Sequence, residues 1–427
     1  MLSSIISLLK FNPDSSTSLR LIAVLPHLKL DLATRNRISL PLPALLLLAA
    51  SLLVLLGCTP GRFSATSNGW SPASGSDGSV YVGSKQGNVR ALVDDGFDGF
   101  QTSWTFPANQ DGGSDDRDSL FGVYGSPVVG KDLVYVSGID GVLYAIDRKT
   151  GTIGATGWKQ PRGQVEDERP PLVGEPALDT SSNVVVVGSE DGKLYAFDAK
   201  TGEPRQGFPF TAEDKIWSTP VIQDGVIYFG SHDKNIYAVS LTDGTLKWKF
   251  LTGGVVAGRP LVFRDMVIAG SFDRRLYAIN IKDGSKSWEF PGENWFWAGA
   301  VSNGRTIFAP SMDGNVYALD RAGNLAWKYD VGSSIVSRPV LIPAGLVVAG
   351  KDGRITLLDI SLAEAGLQRV RSVRPLPDDP EILAPLSAVD ESILVGAQDN
   401  TVRRIEIRAS QAPMWCFDTD TENGQCN

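Results

Sequence analysis

Histidine is almost missing from this chain: of 427 residues only His27 and His232 carry an imidazole. A histidine-built zinc site or a Ser-His-Asp relay therefore has too few residues to assemble. Cysteine is as scarce, with Cys58, Cys416 and Cys426 and no adjacent pair. Basic charge is in deficit, 40 Lys and Arg against 48 Asp and Glu, for a net charge of −8. Nucleic-acid binding draws on a basic stripe that replaces phosphate counterions, and none is visible, so no nucleic-acid partner is expected. What is abundant is glycine, at 45 residues. With ordinary apolar and charged content, that composition suits a globular chain with many tight turns.

One long apolar run is present near the start. Arg35 and Arg37 precede residues 38–56, 19 leucine-rich residues that close on Leu55-Leu56-Gly57-Cys58. Such a segment reads as an export signal. A small residue before the cysteine resembles the lipobox of bacterial lipoproteins, which implies diacylation of Cys58 and loss of residues 1–57. Leu56 stands where that motif more often has Ala, Ser or Thr. The alternative is an uncleaved membrane anchor, since 19 apolar residues just suffice to span. Either reading puts the rest of the chain outside the cytoplasm, on a bacterial membrane. Residues 1–34 have no clear role, and a translation start nearer Arg35 would account for them.

The chain repeats itself. A proline-led segment, a β-branched run ending in glycine, an Asp-Gly-type turn and a Leu-Tyr-Ala phrase recur down the chain, with Gly299-Ala300 in place of the proline in unit six, and the turn alone counts eight units. The turns are Gln86-Gly87, Asp140-Gly141, Asp191-Gly192, Asp233-Lys234, Asp273-Arg274, Asp313-Gly314, Asp352-Gly353 and Asp399-Asn400, spaced 39 to 54 residues apart. Each unit resolves into four strands, A to D. Proline marks the start of strand A, where a missing ladder donor is tolerated, and the Asp-Gly pair supplies the positive φ of a tight B–C hairpin. Strand D carries an aromatic: Trp104, Trp158, Trp248, Trp288, Trp327 and Trp415, with Phe208 or Phe210 in unit three and none in unit seven. Four short strands at a period near 40 predict an all-β, eight-bladed β-propeller over residues 69–417, behind a tether at 58–68 and ahead of a tail at 418–427. WD40 repeats share the period but bring a Gly-His…Trp-Asp signature that is not found here. A linear solenoid would need polar capping units, and the first and last units look ordinary.

The phrase Ala145-Ile146-Asp147…Thr150-Gly151…Trp158, echoed at Ala196-Phe197-Asp198…Thr201-Gly202, Ala238…Gly244…Trp248 and Ala278…Gly284…Trp288, resembles the tryptophan-docking motif of pyrroloquinoline-quinone-type propeller repeats. On that likeness, alanine leaves room for an indole from the next blade and glycine makes the turn. Two branches of the superfamily are relevant. Quinoprotein dehydrogenases carry the quinone on the propeller axis with calcium, a catalytic Asp and, in many members, a vicinal disulfide. This chain has neither adjacent cysteines nor long blade insertions. The chain looks more like the BamB-type outer-membrane barrel-assembly lipoproteins, cofactor-free propellers that hold partner proteins. That resemblance implies a non-enzymatic, monomeric scaffold for envelope proteins. Neither a metal nor a cofactor is expected, pyrroloquinoline quinone included. A quinone-dependent oxidoreductase and a ligand- or polysaccharide-sensing module remain the alternatives.

Three sets of residues are candidates for more than folding. Cys416 and Cys426 remain once Cys58 is lipidated, an even pair in an oxidising compartment. A disulfide between them would pin the tail; two free thiols or a bond to a partner are the other readings. The acidic residues 111–118 do not match an EF-hand loop and read as a solvated insertion, and the turn aspartates such as Asp140 and Asp191 read as structural. Counting three positions back from each strand A start gives Gly69, Tyr124, Val173, Trp217, Ala257, Trp297, Val336 and Ile382, with Trp295 and Phe296 beside them. This column, Arg259, Arg338 and the insertions at 106–123, 159–173 and 371–382 are expected on the face of the D–A loops and B–C turns. That face is the expected partner-binding surface, through Tyr124, Trp217, Trp295, Trp297, Arg259 and Arg338, with wedge packing between blades as the alternative. The opposite face is expected to carry short turns.

Overall fold

The computed structural model describes residues 73–94, 100–108, 120–161, 169–361, 370–389, 391–407, 415–421, 424 and 426. Cys58, the export segment, the tether, Gly69 and residues 111–118 lie outside the described residues. Among those described, thirty-two strands form eight four-stranded antiparallel sheets, each from four consecutive strands. Blade 1 runs Ala73–Ser76, Ser79–Gly83, Val89–Asp94 and Phe100–Phe106. Blade 4 runs Val221–Gln223, Val226–Gly230, Asn235–Ser240 and Leu246–Leu251, and blade 8 ends with Trp415–Asp418.

Strand A is the innermost strand of each blade and packs on strand A of the next. In blade 1 it touches both Val128–Val129 of blade 2 and Ser387–Val389 of blade 8. First and last blades are neighbours, so the array is a closed ring and not a solenoid. Closing the ring leaves no strand exchanged between its ends. Side chains do the work instead: Leu394, Val402 and Phe417 of blade 8 bury against Ala73, Val80, Val82 and Leu92 of blade 1. The Ser387 hydroxyl also donates to the Ala73 carbonyl at 2.7 Å.

Eight such buried clusters lie one between each pair of blades. Every central strand is therefore covered on both faces. In blade 4, Ile227 and Phe229 face blade 3 while Tyr228 faces blade 5. This two-sided burial is why strand B reads as a continuous apolar run and not as an alternating one.

The aromatic on strand D does not use the strand C alanine of the next blade as its dock. Trp104, Trp248 and Trp288 pair across their own blades with Ala91, Ala238 and Ala278. Their docks are the C–D turns of the next blade. Trp248 donates its indole N–H to the Ile281 carbonyl (2.9 Å), and a Cβ on Gly284 would lie 2.8 Å from Trp248. Trp104 uses Arg148 and Gly151 in the same way, Trp158 uses Ala199 and Gly202, and Trp288 uses Arg321 and Gly323. Glycine thus serves twice, through its positive φ and through its bare Cα. Blade 3 differs: Phe210 turns inward onto Phe229 and Tyr237, and the backbone of Gly207 lies against Asp243 and Gly244 where an indole would sit.

Candidate functional site

The B–C turns and D–A loops share one face, and the turn aspartate ties them together. In blades 2 to 6 its Oδ1 accepts from a backbone N–H two residues on, and its Oδ2 accepts from a strand C tyrosine four residues on. The tyrosine distances are 2.6 Å for Asp140–Tyr144, 2.7 Å for Asp191–Tyr195 and 2.6 Å for Asp233–Tyr237. Asp273–Tyr277 and Asp313–Tyr317 repeat the bond at 2.6 and 2.8 Å. In blades 4, 5 and 6 the same Oδ2 also accepts the backbone N–H of the preceding D–A loop, from Glu213, Gly253 and Glu293. A loop held by its own turn in this way is a rigid mount.

Those mounts hold five aromatic rings in contact across blades 4 to 6. His232 meets Trp217 edge-on at 4.4 Å, and Trp217 meets Trp297 at 6.4 Å, reaching past blade 5, which has the small Ala257 in this column. Phe272 stacks between Trp297 (5.2 Å) and Trp295 (4.5 Å). All five are half-buried and present ring surface to solvent. Trp217 is fixed by Glu190, which accepts its indole N–H at 2.9 Å and pairs with Lys215 at 2.6 Å. Burial holds the His232 imidazole, packed on Trp217, below its ordinary pKa.

The structure sorts the expected column into two kinds. Tyr124 is only 6% exposed and offers little surface, unlike Trp217 and Trp297. Ile382 does not belong to the column. Gln398 N donates to Glu381 O as Met312 N donates to Trp295 O, so Ile382 matches the fully buried Phe296, and Leu383 takes the place of Trp297. Pro385 stands one position early, which displaces a count made from proline. His232 and Phe272 were missed because the column was read only along strand A. Both occupy the position just before the turn aspartate, alongside Glu190 and Met312, and that register carried the signal.

The loop lengths are also redistributed. D–A connections at 107–127 and 161–176 are long, as expected on this face, though residues 109–119 and 162–168 lie outside the described residues. Residues 371–375 instead belong to the blade 7 strand Val370–Pro375. The extra length of blades 7 and 8 falls between strands C and D, at 359–369 and 406–414, so the connections on that side are not all short; residues 362–369 and 408–414 lie outside the described residues. Cys416 and Cys426 form a disulfide, with Cα atoms 6.0 Å apart.

Among family models, one described as "Outer membrane protein assembly factor BamB" matches residues 57–215, 210–294 and 291–413. The protein of that description from Yersinia pestis is 29% identical over 202 residues, 45% of this chain and 46% of the relative. A human beta-alanine-activating enzyme is 24% identical over 180 residues, 42% of this chain and 13% of the relative. The chain thus spans less than half the length of either curated relative. BamB from Moraxella catarrhalis aligns with a TM-score of 0.60 at 15% identity, covering 77% of this chain and 94% of that one. The computationally designed Ika8 protein aligns at 0.63 and 14% identity, covering 82% and 96%. At such identities the structures speak for the fold, and fold alone does not carry function.

Proposed function

The chain belongs to the family of outer membrane protein assembly factor BamB, and from that premise we propose that it is a non-catalytic, extracytoplasmic scaffold that holds envelope proteins. Cys58 is its lipid anchor, and it works without a bound cofactor. The observation that carries this reading is the aromatic patch of Trp217, His232, Trp297, Phe272 and Trp295. Large rings with few rotatable bonds, already ordered before binding, make strong anchors at protein interfaces. Glu190 and Lys215 at its edge supply polar rim contacts. The catalytic groups of a histidine-based hydrolase have no counterpart near it, since His232 itself is packed against Trp217.

The test is a cross-linking pull-down of the full chain from native membranes, comparing wild type with the Trp217→Ala, Trp297→Ala double variant. Envelope proteins captured by wild type and lost in the variant support the scaffold. The same proteins captured equally by both would overturn the assignment of this face.

A further inference from the structure

A second cluster lies on the ring axis. The residue just before the proline of strand A is Glu175 in blade 3, Arg259 in blade 5 and Arg338 in blade 7. Blades 2, 4 and 6 place Ser126, Thr219 and Gly299 at the matching position. The fold therefore accepts small neutral residues here, and ring closure does not call for arginine. Strand A is innermost, so the three charged side chains converge from alternate blades. Arg259 reaches across to Glu175, with Nη1 3.4 Å from Oε2.

Several polar groups in this cluster are left incomplete. Glu175 is 7% exposed, and its Oε1 has no hydrogen-bond partner. The buried Ser126 hydroxyl has none either. The Arg338 carbonyl accepts from Leu386 N, but its guanidinium makes no hydrogen bond or ion pair among the described residues, and its charge repels that of Arg259. Burial and that repulsion pull Arg259 below the usual guanidinium range. Yet 37% of the Arg259 side chain stays accessible, so the cluster is open to a visitor. Two cations and one anion leave one unit of positive charge, in a chain whose net charge is −8. Arg338 is half-buried, and a partly desolvated cation without an anion beside it fits a place where a counter-ion arrives from outside.

We propose that Arg259 and Arg338 form an axial anion site that takes one carboxylate, with Glu175 holding Arg259 in position. A planar carboxylate matches the guanidinium fork, and its single charge matches the single uncompensated cation. Such a group arrives either as a small free acid or as an acidic side chain of a bound peptide. The site does not depend on the aromatic patch, and the variants below leave that patch intact.

The experiment is calorimetric titration, with thermal melts, of the full chain against succinate, inorganic phosphate and a blocked Asp-Glu peptide amide. Either carboxylate probe should bind and raise the melting temperature; succinate alone points to a free acid, the peptide alone to a partner's side chain. Arg338→Ala should weaken that binding at least tenfold, with Arg338→Gln as the substitute if the alanine variant fails to fold. Glu175→Gln, which removes a competing anion, should tighten it several-fold. The ligand-free Arg338→Ala protein should melt no lower than wild type, because the guanidinium it removes has no partner among the described residues. Three results would overturn the site: no binding of either carboxylate, phosphate bound as tightly as both at the same residues, or a ligand-free Arg338→Ala protein that melts well below wild type.

Discussion

The guanidinium of Arg90 in blade 1 donates a 2.7 Å hydrogen bond to the carbonyl of Thr421, inside the loop that the Cys416–Cys426 disulfide closes. Arg90 also lies over the ring of Phe417, 5.6 Å from its centroid. Nearby, Phe100 of blade 1 meets Trp415 of blade 8 at 4.4 Å. Trp415, Phe417 and Thr421 are thus part of the seam that closes the ring.

Because no strand is shared across that seam, the short disulfide loop should matter more than its place at the terminus implies. Replacing both Cys416 and Cys426 by Ser should cost about 2–3 kcal/mol, chiefly by freeing the unfolded chain. Chemical denaturation with and without reductant checks this. Identical midpoints for the variant and the oxidised wild type would remove the disulfide from the seam.

Two glycines separate backbone strain from docking. Gly304 has φ +85° and nothing within 4 Å of an added Cβ, whereas Gly284 has φ +74° and Trp248 at 2.8 Å. Gly304→Ala should cost about 1–2 kcal/mol, the left-handed penalty alone. Gly284→Ala should cost roughly 2–4 kcal/mol, because the indole must also move. Equal losses would mean that the indole yields freely.

Phe296 and its neighbours separate wedge from anchor. Phe296 is fully buried, so Phe296→Ala should cost about 3–5 kcal/mol. Trp217→Ala and Trp297→Ala remove half-buried rings and should cost only about 1–2 kcal/mol, while partner binding weakens by about 2 kcal/mol or more. Thermal melts beside the pull-down read both. A loss at Trp217 as large as that at Phe296 would return the tryptophan to the core.

Asp140 departs from the other turn aspartates in its titration. Burial raises its pKa to about 6, outweighing the hydrogen bonds from Tyr144 and Val142. A carboxyl whose native pKa is raised favours the protonated fold, so its contribution is full below the unfolded value and is lost as pH rises through 6. Relative to Asp140→Asn, wild type should lose roughly 2–3 kcal/mol between pH 4 and pH 7. At Asp191, Asp233 and Asp313, burial also pushes upward, but hydrogen bonds from Tyr195, Tyr237 and Asn315 among others prevail and lower the pKa. Their contribution stands above the ordinary carboxyl value of 3.8 and is lost only as pH falls below it. Urea melts from about pH 2 to about pH 7 test both signs; a difference flat with pH would refute the Asp140 assignment.

Cys58→Ala should block incorporation of a radiolabelled fatty acid and leave the unprocessed precursor. Normal processing with release from the membrane would show that the anchor lies elsewhere.

The sequence by itself determined the blades. Period, proline-led strand A, Asp-Gly turn and Leu-Tyr-Ala phrase are local chemistry, and each unit forms its four strands from about forty consecutive residues. Trp217 and Trp297 were legible as part of a column, with Trp295, Arg259 and Arg338 beside it, for the same reason. Closure of the ring decided the rest, because it joins residues that no local window contains. Glu175 meets Arg259 across 84 positions, and Arg90 meets Thr421 across 331. Whether Tyr124 is buried while Trp217 stays half-exposed, and whether glycine or alanine receives an indole, depends on how closely adjacent blades approach. Backbone hydrogen bonds between blades set that approach and the true register of the last blade, and a count from proline carries no information about them.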